Sequence, residues 1–122
     1  MDEAKAVVHV VEDDDSVRTA VVRLLRTAGF QAQPYASAAE FLLVAGENAG
    51  GCMVLDVGLP GMSGPDLQLE LARRGHAIPI VFITAQSDAS LRPRLLARGA
   101  VACLFKPFSH TGLLDALKVA LG

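Results

Sequence analysis

Hydrophobic and polar positions divide the chain into five repeats of a short apolar block followed by a longer amphipathic segment. The short blocks cover residues 6–11, 30–35, 52–56, 80–84 and 101–105. Apolar runs of this length with β-branched residues are typical of strands buried in a parallel sheet, and the more polar second block suits a sheet edge. The alternation of strand and helix predicts an α/β fold with one parallel sheet and helices on both faces.

The intervening segments have apolar residues at helical spacing and predict helices near residues 15–28, 37–45, 63–74, 88–98 and 109–121. Residues 37–40 form a capping-box pattern at the start of the second helix, with Phe41, Leu42 and Ala45 facing inward. Pro93 lies inside the fourth helix, where proline removes a hydrogen bond and clashes with the preceding turn. We therefore expect that helix to be kinked, to start late or to be partly unwound before Pro93.

The composition limits the class of function. The chain has 122 residues, of which 52% are hydrophobic and 20% are charged, as in a single globular domain. Its net charge of -2 gives no support for a broad nucleic-acid-binding surface. The sequence shows neither a signal-peptide pattern nor an apolar run long enough to span a bilayer. We therefore expect a cytoplasmic protein that contacts neither membranes nor nucleic acid directly.

The cysteines and histidines lack the spacing of a metal site. Cys52 and Cys103 are too few and too far apart for a zinc site or a disulfide scaffold, and we expect both to be reduced, buried thiols. We expect His9 to be a strand histidine with a hydrogen-bond partner, and His76 and His110 to be solvated.

Polar side chains follow four of the five predicted strands, at the ends that meet along one edge of a parallel sheet. They are Glu12 and Asp13 after the first strand, Asp56 ending the third, Thr84 ending the fourth and Lys106 after the fifth. Three clustered carboxylates repel one another unless a cation neutralises them, and their oxygens favour Mg²⁺ or Mn²⁺. With an ammonium and a hydroxyl nearby, such a site can hold a phosphoryl group on a carboxylate, with Asp56 as the nucleophile.

Asp14 and Asp15 have a simpler interpretation, because acidic residues are favoured at the start of a helix. A competing hypothesis comes from residues 13–17, which resemble the D-x-D-x-[TV] motif of haloacid-dehalogenase-like phosphohydrolases. That class would make Asp13 the nucleophile instead of Asp56. The chain is short, however, and it shows neither a cap domain nor a later acidic pair.

Taken together, these motifs resemble the receiver domain of two-component response regulators along the whole chain. The resemblance rests on the acidic pair Glu12-Asp13, on Leu55-Asp56 with Pro60 four residues later, on Thr84, and on Lys106-Pro107-Phe108. The sequences of residues 9–13, 61–64 and 106–108 are most similar to those of receivers of FixJ/NarL-type transcriptional regulators.

The resemblance implies a flavodoxin-like (βα)5 three-layer sandwich with strand order 2-1-3-4-5. It implies that residues 1–122 form a single receiver domain without an output domain in this chain. In the metal site it implies Mg²⁺ bound directly by Asp13, Asp56 and the backbone carbonyl of Gly58, with Glu12 acting through water. Thr84 and Lys106 would contact the phosphoryl oxygens, and the Lys106-Pro107 peptide bond would be cis.

The function implied by the resemblance is a phospho-switch and not a turnover enzyme. A sensor histidine kinase or a phosphotransfer protein would pass a phosphoryl group from its phosphohistidine to Asp56. Phosphorylation would then change the surface formed by helix four, strand five and helix five, through which the domain could form a homodimer. The controlled element would be a transcriptional output domain or a protein partner.

The chain departs from the family pattern at its switch residues. Receivers usually have Tyr or Phe three residues before the lysine, coupled to the threonine that is Thr84 here, but this chain has Cys103. Strand alternation puts Phe105 on the same face, so it is the alternative switch residue. Gly58 and Gln86 occupy the two positions at which family members tune hydrolysis. These departures keep open a third hypothesis, a degenerate receiver that acts as an interaction module without phosphorylation.

Overall fold

In the computed structural model, described for residues 6–45, 50–85 and 90–122, five strands form one parallel sheet in the order β2-β1-β3-β4-β5. The strands are β1 Val7–Val11, β2 Gln31–Tyr35, β3 Cys52–Asp56, β4 Ile80–Thr84 and β5 Ala102–Phe105. The predicted fold, the strand order and the edge position of the more polar β2 are confirmed. Three strands begin one residue later than predicted, and β3 and β4 match the prediction.

The helices of the structure alternate with these strands. They are α1 Asp15–Thr27, α2 Ala38–Ala45, α3 Gly64–Arg73, α4 Leu91–Ala97 and α5 His110–Leu121. Of the predicted consequences of Pro93, a late start is found, because α4 begins at Leu91 and Pro93 is its third residue. Residues 88 and 89, where this helix was predicted to begin, lie outside the described residues. A proline in the first helical turn has no intrahelical hydrogen bond to lose, which resolves the conflict.

Side-chain caps fix where four of the helices begin, including α5, where the Ser109 hydroxyl accepts from the Gly112 N–H at 2.9 Å. Asp14 is the N-cap of α1, since its carboxylate accepts hydrogen bonds from the backbone N–H groups of Ser16 and Val17. This agrees with the prediction that Asp14 marks the start of a helix. At α2 the Ser37 hydroxyl accepts from the Glu40 N–H at 3.0 Å, but the Glu40 carboxylate accepts from Ala36, one residue before the N-cap. A capping box with both of its hydrogen bonds joins Ser63 and Asp66 at the start of α3, where none was predicted.

The hydrophobic core has two layers because side chains alternate across the sheet. One layer includes Val11, Leu55 and Phe82 of the strands, packed with Phe41 of α2, Leu67 and Leu71 of α3 and Leu95 of α4. The other includes Val10, Val54 and Ile83, packed with Val21 and Leu25 of α1 and Leu113 and Leu117 of α5. Every residue of β3 and β4 is buried, which holds the polar ends of these strands in a rigid frame.

The buried cysteine and histidine side chains behave as the sequence predicts. Cys52 and Cys103 are both buried thiols without a disulfide. His9 is buried, with Nδ1 3.2 Å from the Tyr35 hydroxyl and Nε2 3.0 Å from the Gly50 carbonyl oxygen. His110 is exposed as expected, whereas His76 is half-buried.

Candidate functional site

The polar residues predicted to meet at one edge of the sheet do meet there. Asp56 is 5% exposed, Thr84 is 1% exposed and Glu12 is fully buried. Asp13 is exposed at the surface of the same cluster, and Lys106 is half-buried beside it. Four strand ends therefore converge on Asp56, because the parallel strands all end on the same side of the sheet.

The carboxylates of Glu12, Asp13 and Asp56 form a cluster in which one oxygen of each lies within 4.8 Å of the others. Several carboxylate oxygens with one exposed member suit Mg²⁺, which binds oxygen donors and retains several waters. The donor set therefore fits the predicted cation. Asp13 and Asp56 are also the two residues that the resemblance implies as direct ligands, and this role stays a prediction.

Lys106 supplies the positive charge of the cluster. Its Nζ lies 2.9 Å from Glu12 Oε1, a hydrogen bond, and 3.7 Å from Asp56 Oδ1. Desolvation by burial lowers the pKa of Lys106, but the Glu12 hydrogen bond and the nearby carboxylate charges outweigh this effect and raise it above its usual range. The side chain is therefore a fixed cation next to Asp56.

Glu12 lies deepest in the site. Burial raises its pKa to about 6, although the hydrogen bonds from Lys106 and from the Asp14 backbone N–H act in the opposite direction. The neighbouring Asp56 carboxylate acts in the same direction as burial, and the pKa of about 6 includes its contribution. The removal of carboxylates from water therefore has an electrostatic cost, which the ammonium group partly offsets.

Arg18 on α1 also supports the site, a role that was not predicted from the sequence. Its Nη1 donates to the backbone carbonyl of Glu12 at 2.9 Å, and its Nη2 pairs with the Asp15 carboxylate. These contacts connect the two sides of the acidic loop that includes Asp13. The sequence offered one signal for this role, an arginine one turn into the helix that follows the acidic run. Whether its side chain reaches back to the Glu12 carbonyl depends on the path of the loop.

The loop after β3 positions Asp56 from the other side. The Gly58 N–H donates to Asp56 Oδ1 at 3.2 Å, so the backbone holds the orientation of this carboxylate. Gly64, the first residue of α3, packs directly against the Asp56 backbone. Residues 61–64 contributed to the family resemblance, but no role was predicted for Gly64. Its position at the start of a capped helix was the available signal.

The switch positions are split between core and surface. Cys103 is 2% exposed and belongs to the core layer under α2, α3 and α4, whereas Phe105 is 37% exposed. Phe105 is the register partner of Thr84 on the neighbouring strand. The Lys106 N–H donates to the Thr84 carbonyl at 2.8 Å, and the peptide bond between Lys106 and Pro107 is cis. Gln86 lies outside the described residues.

Comparison with known proteins identifies the family. The family model "Response regulator receiver domain" matches residues 8–118 of this chain. The chain belongs to this family. Nodulation protein W of Bradyrhizobium diazoefficiens is 46% identical to this receiver domain over 116 residues, which are 95% of the chain and 51% of that protein. The response regulator TmoT of Ectopseudomonas mendocina is 38% identical over 121 residues, 99% of the chain and 55% of that protein.

Solved structures of response regulators have the same fold as this receiver domain. The structure of response regulator StyR matches with a TM-score of 0.90 and 45% identity, over 97% of this chain and 60% of that chain. The crystal structure named FixJ-N matches with a TM-score of 0.86 and 30% identity, over 97% and 94% of the two chains. The similarity to FixJ-type receivers predicted from the sequence is confirmed.

The receiver domain spans about half the length of the curated relatives named above. In the ranges that the structure describes, no helix combines the length and the apolar character needed to cross a bilayer.

Proposed function

We propose that Asp56 accepts a phosphoryl group from the phosphohistidine of a sensor histidine kinase or phosphotransfer protein, in a reaction that requires Mg²⁺. The proposal is supported above all by the position of Asp56: a nearly buried carboxylate at the end of β3, clustered with two other carboxylates and 3.7 Å from the Lys106 ammonium. This arrangement combines a nucleophile with positive charge at the point where phosphoryl oxygens would lie.

Each residue of the site has a defined role in this reaction, and Asp56 has two. A carboxylate oxygen of Asp56 forms the new bond to phosphorus while the P–N bond to the donor imidazole breaks and its electron pair stays on nitrogen. Lys106 balances the charge on the phosphoryl oxygens, and Thr84 contributes a hydroxyl to them. Asp13, Asp56 and the Gly58 carbonyl hold the cation, with Glu12 in an indirect role. When bound, Mg²⁺ supplies additional neutralisation of the transferring oxygens.

The phosphoryl group would act as a switch and not as a step of a turnover enzyme. It adds up to about two negative charges at the end of β3 and shifts the population between two states of the domain. The surface that changes is the α4–β5–α5 face, through which the domain forms a homodimer or controls an output domain. Relatives named as transcriptional regulatory proteins, such as FixJ of Azorhizobium caulinodans, support a transcriptional output. Such an output would act in the cytoplasm, which is the location that we propose.

The test is intact-mass analysis after incubation with acetyl phosphate, with and without Mg²⁺, for the wild type, Asp56→Asn and Asp13→Asn. We expect a Mg²⁺-dependent phosphoryl adduct in the wild type, none in Asp56→Asn, and much less in Asp13→Asn at the same Mg²⁺ concentration. Asp115→Asn, which removes an exposed carboxylate on α5, should give the wild-type adduct.

Two results would support the competing hypotheses. An adduct that survives Asp56→Asn and maps to Asp13 would place the protein with the haloacid-dehalogenase-like phosphohydrolases. A wild-type domain that takes up no phosphoryl group and does not respond to beryllofluoride would be a degenerate receiver.

A further inference from the structure

A cavity of about 470 Å³ lies at the edge of the sheet where β4 and β5 begin and where α3, α4 and α5 end. The strands are parallel, so this edge is opposite to the one that carries Asp56. The volume falls in the range of small-molecule sites, roughly 300–1,000 Å³. The apolar walls include Leu71, Ile78, Pro79 and Val101, so the cavity can cover the apolar part of a small ligand.

Gln68 of α3 is the buried polar residue of this cavity, at 7% exposed. Its Nε2 donates to the backbone carbonyls of Leu95 and Arg98 at 3.5 and 3.4 Å. Both partners are acceptors, which fixes the orientation of the amide and leaves Oε1 as its free acceptor. Of the buried side-chain nitrogen and oxygen atoms in the described residues, Oε1 alone has no hydrogen-bond partner. An unpaired buried acceptor costs free energy, and a ligand that donates an N–H or O–H to it removes that cost.

Positive charge lies at the rim of the cavity. Arg98 is the exposed C-cap of α4, and within the described residues its guanidinium pairs with no carboxylate. At the end of α3, by contrast, Arg73 and Arg74 both pair with Glu70. His76 is half-buried, and none of the residues that line the cavity is acidic. A guanidinium without a partner beside an apolar cavity is suited to a ligand carboxylate.

We propose that this cavity binds a small organic acid that has an apolar body, a carboxylate for Arg98 and an N–H or O–H donor for Gln68 Oε1. The walls around Leu71 and Ile78 would cover the body, whose burial supplies most of the affinity, while the two polar contacts select the ligand. Binding here does not depend on phosphoryl transfer to Asp56, because the cavity shares no residue with the acidic cluster.

The lining disfavours two other classes of ligand. A divalent cation needs carboxylate oxygens, and the described residues of the lining include no Asp or Glu. A polyphosphate needs several cations around it, whereas Arg98 is the one arginine or lysine of the same lining. A single carboxylate on a largely apolar molecule matches both the charge and the walls.

The experiment titrates the domain with two acids of different body, indole-3-acetate and N-acetyl-leucine, each of which has one carboxylate and one N–H group. Amide chemical shifts in ¹H–¹⁵N NMR spectra measure the dissociation constant and show which residues are affected. Two analogues of each acid test the polar contacts on the unaltered protein. The carboxamide lacks the charge, and the N-methyl analogue lacks the N–H donor.

The same titrations on Arg98→Gln and Gln68→Leu test the protein side of the two contacts. Arg94→Gln is the matched control, because Arg94 is exposed on the same helix but does not line the cavity. The spectra also establish which variants are folded. If Gln68→Leu does not fold, the N-methyl analogues decide the role of Oε1 on the wild type.

We expect at least one of the two acids to bind with a dissociation constant of about 0.1–1 mM, with shifts concentrated at residues 71–80 and 98–101. Its carboxamide and its N-methyl analogue should each bind at least about fivefold more weakly. Arg98→Gln and Gln68→Leu should lose affinity for the acid by a similar factor, and Arg94→Gln should match the wild type. In Gln68→Leu the acid and its N-methyl analogue should bind equally, because the acceptor is gone.

Four results would overturn the inference. The first is the absence of saturable shifts with either acid up to about 10 mM, and the second is binding whose shifts are centred elsewhere in the domain. The third is equal binding of an acid and its carboxamide or N-methyl analogue to the wild type. The fourth is an equal loss of affinity in Arg94→Gln and Arg98→Gln, which would reduce the effect to general charge.

Discussion

Gly64 and Asp56 are in backbone contact: a Cβ at residue 64 would lie 2.4 Å from the Asp56 carbonyl oxygen and 3.0 Å from the Val57 Cα. The Gly64 N–H also donates to the Val57 carbonyl at 3.1 Å. Backbone atoms in a buried strand cannot move aside as a flexible side chain can. The first turn of α3 therefore packs against the backbone of the proposed phosphoacceptor and fixes its position. This contact leaves no room for a methyl group at residue 64.

Gly64→Ala should destabilise the domain and displace Asp56. Overpacking of this kind costs about 1–3 kcal/mol, and we expect slower adduct formation with acetyl phosphate as well. Urea unfolding and intact-mass kinetics measure the two effects. Gly58→Ala is the control for stability, because its added methyl meets nothing within 4 Å and should cost less than about 0.5 kcal/mol. A Gly64→Ala variant as stable as Gly58→Ala would contradict the close contact.

His9 should make the stability of the domain depend on pH. Burial lowers its pKa below the usual 6.5, although the Gly50 hydrogen bond acts in the opposite direction. The unfolded chain therefore binds the proton more readily, and the free energy of unfolding should fall as the pH drops below about 6.5 toward the folded-state pKa. Above about 6.5 His9 is neutral in both states, and its contribution is constant.

His9→Gln tests this by urea unfolding between about pH 7.5 and pH 5. It should lose about 1–3 kcal/mol at the higher pH through its two hydrogen bonds, and the difference from wild type should shrink as the pH falls. His110→Gln, on the exposed surface of α5, should keep the wild-type pH dependence. A constant difference between His9→Gln and wild type across this range would refute the pKa shift.

Both cysteine thiols should be unreactive in the folded domain. Burial raises the pKa of Cys52 to about 11 and also raises that of Cys103, where the charge of Arg92 acts in the opposite direction. The thiolate is the reactive form, so neither should react with Ellman's reagent at about pH 8 until denaturant is added, when two equivalents should be released. Rapid release of one equivalent under native conditions, traced with Cys103→Ala, would show that a thiol is accessible.

Pro93 should be nearly neutral for stability, although it lies within a predicted helix. As the third residue of α4 it has no intrahelical hydrogen bond to lose, so Pro93→Ala should change the free energy of unfolding by less than about 1 kcal/mol. Leu95 is only 1% exposed, so Leu95→Ala leaves a cavity in the core. It should lower the free energy of unfolding by about 2–5 kcal/mol in the same measurement. A large gain in stability in Pro93→Ala would mean that the proline strains α4.

The periodicity of the chain was sufficient to predict the architecture. Five apolar blocks separated by amphipathic segments allow few arrangements other than a parallel sheet covered on both faces. Because all strands of such a sheet end on one side, the residues after each apolar block had to be neighbours. This local rule alone brought Asp56, Asp13, Thr84 and Lys106 together before any distance was known.

Contacts between distant segments were decided by the tertiary structure. The pairing of Lys106 with Glu12, 94 residues away, and the packing of Gly64 on Asp56 both depend on loop paths that no local pattern encodes. The same holds for the buried Cys103 and the exposed Phe105: alternation placed both on one face, but burial depends on how far the helices extend over the sheet edge. Sequence pattern thus determined which groups meet, and packing determined which of them pair, because an interaction of about 3 Å requires positions that only the assembled core defines.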